Sequence, residues 1–115
     1  MKANELRVGN YVMFHNDIHS LSSIGQWMHT DKSIDEIPLD EVKPIILTEQ
    51  WMINLGFTKF SKITFELNGI RIGINGDSFL FLCNQKWVHV FYVHQIQNIY
   101  FILTGEELQK LNIIQ

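Results

Sequence analysis

The stretch VHQIQNIYFILTG, residues 93–105, decides how the chain is read. Val93, Ile96, Ile99, Tyr100 and Leu103 recur three and four apart, which puts them on one stripe of an α-helix. A second stripe, His94, Gln97, Asn98 and Phe101, lies roughly opposite. A helix that met water there would carry Lys and Glu. Uncharged amides and a phenylalanine instead fit a half-buried face set against strand backbones, with Gln97 and Asn98 hydrogen-bonding to them. The stretch is read first as a packing helix and second as a ligand-contact surface.

Working outward, Thr104 and Glu107 have the T-x-x-E spacing of a capping box. That spacing predicts a short last helix over 105–111, with Leu108 and Leu111 inward. Upstream lies a β-rich block. Asn68-Gly69 and Asn75-Gly76 are type I′ turn signals, and Asn84-Gln85 marks a third turn. The simplest topology is an antiparallel meander with strands over 62–67, 70–75, 78–83 and 86–91. Ile70, Ile72 and Ile74 point one way; Arg71 and Gly73 point the other.

Before the meander, LTEQWMINLGF (47–57) signals a short helix over 49–55. Thr48 is a good N-cap, Leu47 and Met52 hold the hydrophobic-staple positions, and Gly56 suits a C-terminal positive φ. The N-terminal part is β-rich. In ELRVGNYVMF (5–14), Leu6, Val8, Val12 and Phe14 keep the strand period, Gly9-Asn10 predicts a bend, and Asn16-Asp17 a turn. IHSLSSIGQWM (18–28) reads as one bent strand or two short ones. DKSIDEIPLDEVKPI (31–45) reads as short strands or a 3₁₀ turn, anchored by Ile34, Ile37, Leu39 and Val42.

The expected fold is therefore α+β in a single domain, 1–115. Residues 1–46 form a β-rich, barrel-like part, and 47–115 a helix–meander–helix part. At 115 residues, with 46% apolar residues and 18% charged, the chain can bury a real core. The start MKANELRVGN turns polar at once, and no apolar run approaches the roughly 18 residues of a membrane span. A cytoplasmic setting with no membrane partner is expected.

Candidate chemistry is thin. Cys83 is the single cysteine and reads as a core residue in FLFLC. His15, His19, His29, His89 and His94 show no metal-ligand spacing, so neither a metal nor a cofactor is expected. His89 shares a strand face with Trp87 and Phe91 and reads as partly buried and hydrogen-bonded. Trp27, Trp51 and Trp87 are each read as core before contact. GIRIGING (69–76) matches neither a dinucleotide nor a phosphate loop, and there is no nucleophile elbow. Asp35-Glu36, Asp40-Glu41 and Glu106-Glu107 read as solvated edges. Six of the twelve acids lie within residues 31–49, while Lys59, Lys62, Arg71 and Lys86 lie in or beside the meander.

NELRVGNYV (4–12), PIILTEQWMINLGF (44–57) and VHQIQNIYFILTGEEL (93–108) resemble three signatures of a small uncharacterised family of Bacteroides-type bacteria, their prophages and other mobile elements. The chain departs from that pattern at Ile46, where the family has proline, and at Asn54, where it has lysine. The resemblance implies a cytoplasmic bacterial or phage setting and carries no catalytic residues. ELRVGNYVMF also resembles the first strand of small SH3-like barrels, which implies a partly open barrel over 1–46.

Three functions follow in order. The first is a non-catalytic protein-binding or adaptor module of mobile-element origin, contacting another protein or a second copy. The second is a nucleic-acid-binding accessory protein using Lys59, Lys62, Arg71 and Lys86 beside an aromatic, disfavoured by the net charge of −3. The third is a small enzyme pairing His89 or His94 with a carboxylate. No catalytic residue is assigned. His94, Gln97, Asn98, Phe101, Arg71 and Lys86 are the candidate contact surface.

Overall fold

A computed structural model describes residues 3–24, 27–32, 37–83 and 85–110. The fold is α+β, with a four-stranded and a five-stranded antiparallel sheet and two helices. The chain groups into two compact units: residues 1–46 with 92–107, and residues 47–91 with 108–115. The C-terminal helix thus goes with the N-terminal sheet, not with the meander that precedes it in sequence.

The first unit is built on a small sheet that curls into a half-barrel. Strands β1 (Tyr11–Phe14), β2 (Asp17–Ser23), β3 (Trp27–Thr30) and β4 (Ile37–Pro38) pair in sequence order. A 3₁₀ turn, Leu39–Glu41, follows β4. Lys43 then returns to β1, where its N–H and C=O exchange 2.9 Å bonds with Met13. Leu6, Val12, Leu21, Met28, Ile37 and Val42 form the buried cluster, with Phe14, Ile24 and Leu39 packed against it. Ile34, the remaining expected anchor, lies outside the described residues.

β1 starts later than the alternation of ELRVGNYVMF predicts. Residues 3–5 make a 3₁₀ turn, Val8 is exposed, and Gly9 bends the chain at φ +97°. The β1–β2 turn is His15-Asn16, with φ of 49° and 62°, and not Asn16-Asp17. Both residues are left-handed, as a two-residue I′ turn requires, and the His15 ring stacks on Phe14.

Helix α2 (Val93–Thr104) completes this unit. Gln95 Oε1 accepts the Tyr92 N–H at the start, and Gly105, at φ +75°, closes the end through its N–H to Phe101 C=O. Here the expected last helix over 105–111 fails. Thr104 is the final residue of α2, its hydroxyl donates to Tyr100 C=O, and residues 105–110 are not helical. Leu108 is buried all the same, and Leu111 lies outside the described residues. Leu103, expected inward, is half exposed, because every buried residue of the helix falls within Val93–Tyr100 and the last turn runs past them.

The second unit opens on helix α1 (Glu49–Asn54). Thr48 Oγ1 accepts the Trp51 N–H at 3.1 Å. The far end is a Schellman motif: Phe57 N–H donates to Met52 C=O and Gly56 N–H to Ile53 C=O, with Gly56 at φ +101°. Met52, Leu55 and Phe57 are buried.

The meander has five strands rather than four: β5 (Thr58–Ser61), β6 (Thr64–Leu67), β7 (Ile70–Asn75), β8 (Ser78–Cys83) and β9 (Lys86–Val90), paired in that order. β5 escapes a sequence reading because TKFS does not alternate, and all four of its residues are exposed. Asn68-Gly69 is the expected I′ turn, with φ of 50° and 84°. The next hairpin keeps the expected strand bounds, 70–75 and 78–83, but its turn is not the I′ turn that Asn75-Gly76 signals. Asn75 pairs with Ser78, and Gly76 alone takes positive φ, the II′ pattern. Phe65, Ile70, Ile72, Phe79 and Val90 make the buried side, with the Phe65 and Phe79 rings 6.4 Å apart.

The cap at Thr48 gives a direct check on this local reading. Thr48→Ala is expected to cost about 1 kcal/mol in urea unfolding, and Thr48→Ser to restore most of it.

Candidate contact surface

The six candidate residues divide between the two units. Four lie on α2, and they do different things. Gln97 is fully buried. Its Oε1 accepts the Tyr11 N–H at 2.8 Å and its Nε2 donates to Gly9 C=O at 3.0 Å. An amide presents one acceptor and one donor side, so it bonds a backbone N–H and a backbone C=O on either side of Asn10 at once. Asn98 works one step further along. Its Nδ2 donates to Glu5 C=O, and its Oδ1 accepts from Asn10 Nδ2 and from Arg7. The Arg7 guanidinium also pairs with Glu107 and lies 3.8 Å over the Phe101 ring. Gln97 and Asn98 are therefore occupied in holding the first unit together, as the amide-rich stripe predicts.

His94 is also buried, with its ring stacked on Tyr92 and its Nδ1 lacking a partner among the described residues. Burial lowers its pKa, partly opposed by the negative charge of Glu5. Buried His94 and Gln97 present no face to a partner, and Asn98 is half-buried. Phe101 is exposed at the margin, beside the more open Ile102.

Arg71 and Lys86 belong to the meander. Arg71 is exposed, pairs with Glu66 at 3.1 Å and lies 4.3 Å over the Phe60 ring. Strand pairing then defines the rest of its face. Leu80 is opposite His89 and Leu82 opposite Trp87. Period-2 alternation sets these on the side away from Phe65 and Ile72, together with Phe91. Trp87 is 62% exposed, Phe60 58%, Leu82 49% and Phe91 49%, enough to make this an open apolar face and not a half-covered one.

Trp87, expected in the core, and His89, expected partly buried, lie instead on the open side of the sheet. Both are exposed; Trp87 is not core, and His89 stacks on the Phe91 ring at 5.6 Å. The reason lies in the run FLFLC followed by KWVHVF. Both faces of these strands are apolar, and one layer of buried residues covers only one of them. The signal was present as Trp87, His89 and Phe91 at period two, and it fixed their common face without fixing which side met solvent. Trp27 and Cys83 have side chains outside the described set.

Chemistry remains sparse. His19, buried, shares a 2.7 Å hydrogen bond with the Thr30 hydroxyl. Among the described residues no three of His, Cys, Asp and Glu come together as a metal set. No helix among them is long and apolar enough to cross a membrane. No protein-family model, curated protein or solved structure matches the chain.

Two measurements check the α2 assignments. Gln97→Leu strands a buried N–H and a buried C=O, so urea unfolding should show a loss of about 3 kcal/mol. For His94, the unfolded chain takes up a proton near the ordinary histidine pKa, about 6.5, while the folded chain resists until lower pH. Stability should therefore decline as pH falls below that value and be insensitive to His94 above it. His94→Leu is expected to flatten this part of the pH–stability profile.

Proposed function

We propose that the protein is a non-catalytic protein-binding or adaptor module whose contact surface is the outer face of the meander. The observation that carries this reading is Trp87, a large indole left mostly open beside Leu82 on a regular sheet. Isolated exposed apolar residues are ordinary. A cross-strand pair with an indole in it, on the strand that leads to the half-exposed Phe91, is the kind of aromatic anchor that interfaces use.

Nucleic acid is the weaker partner. Residues 47–91 hold four cations against three acids. Two of the cations are already committed, Arg71 to Glu66 and Lys59 to Glu49. A stacking surface for single strands needs a more cationic track than that. An enzyme is weaker again: among the described residues neither His89 nor His94 has a carboxylate within ion-pair distance. The resemblance to a mobile-element family supports a bacterial, cytoplasmic adaptor and belongs to the same proposal.

The test is capture of partners from a Bacteroides-type host, comparing the wild-type chain with a Trp87→Ser/Leu82→Ser variant of unchanged circular dichroism. A partner enriched by the wild type and lost by the variant is the expected result. An identical captured set from both chains counts against the outer face.

A further inference from the structure

The outer face has a neighbour that no sequence feature announces, the free edge of β9. The two-residue turn 84–85 closes on the Cys83–Lys86 pair, which aims the backbone groups of Lys86, Val88 and Val90 at β8. Alternation then leaves the N–H and C=O of Trp87 and His89 on the opposite edge. The next outward carbonyl, Phe91, confirms the parity, since it accepts the Leu47 N–H at 2.8 Å. Among the described residues nothing takes the outward groups of Trp87 and His89.

The two edges of this sheet are not alike. β5 is interrupted by a register shift between Lys59 and Ser61, and Lys59 is tied to Glu49. Bulges and lysines are how proteins blunt an edge. β9 has an unbroken register, and its residues Lys86–His89 are exposed on both sides of the strand. Trp87 offers apolar surface on one side and Val88 on the other. Lys86, at the start of the strand, has no ion-pair partner among the described residues.

We propose that β9 receives an extended segment of a partner protein as an added strand, with apolar residues alternating along it and an acidic residue set against Lys86. Main-chain bonds to Trp87 and His89 give the affinity, and the Trp87–Leu82 side and Lys86 give the selection. This rests on the protein-binding reading above and deepens it.

The probe is a capped, fluorescein-labelled peptide alternating valine with glutamate, followed by anisotropy. It is compared with its lysine counterpart, with a form N-methylated at every second residue, and with a labelled oligothymidylate. The glutamate peptide should bind, the lysine and N-methylated peptides should not, and Lys86→Glu should weaken binding about tenfold. His89→Pro removes an outward N–H without touching the β8 ladder and should abolish binding. The N-methylated peptide reads the same bond with the protein unaltered, should that variant fail to fold. No binding of the glutamate peptide at millimolar concentration overturns the proposal. Binding that survives N-methylation overturns strand addition, and equal binding of the lysine peptide or tighter binding of oligothymidylate overturns the acidic partner. Loss of captured partner in Trp87→Ser/Leu82→Ser alongside any of these results keeps the protein-binding reading and removes only the strand.

Discussion

The first unit depends on one buried amide. Where Gly9 turns the chain into β1, the Gly9 C=O and the Tyr11 N–H both meet the Gln97 amide. Unsatisfied, each would cost about 1–3 kcal/mol. Gln97 answers both, and only a side chain with donor and acceptor on one planar group fits that requirement. Asn98 and Arg7 then build outward from it to Glu5, Asn10, Glu107 and Phe101. The helix is held to the barrel by polar groups as much as by Val93, Ile96 and Tyr100, and this explains its lack of charge along the buried arc.

The second unit is governed by a different constraint. A sheet with apolar residues on both faces has only one buried side, here Phe65, Ile70, Ile72, Phe79 and Val90. The surplus apolar residues Leu82 and Trp87 are left largely open to water, which costs solubility. That imbalance gives the outer face its functional interest.

Much of this was legible in the residues. The capped helix at Thr48–Gly56, the Asn68-Gly69 hairpin, the bend at Gly9 and the hydrogen-bonding role of Gln97 and Asn98 each follow from local chemistry that tolerates few alternatives. What failed did so where two local solutions compete. Thr104 could cap a new helix or close the old one, and the αL glycine at 105 favoured closure. Asn75-Gly76 could sit centrally in an I′ turn, yet Asn75 ends β7 by pairing with Ser78 and Gly76 alone takes positive φ, so the strands fall where expected and the turn type differs. For Trp87 and His89 the period fixed the face, and burial was decided by which side the chain could cover.

The order of segments along the chain has a consequence for how the molecule is made. The bond from Gln97 to Gly9 spans 88 residues, while the meander hairpins turn over two. Contacts of such different separation carry different loop-closure entropies, so the hairpins close quickly and the barrel's polar bend closes late. During synthesis the N-terminal strands leave the ribosome first and wait, with the bend at Gly9 still hydrated, until the segment that carries Gln97 emerges behind the complete meander.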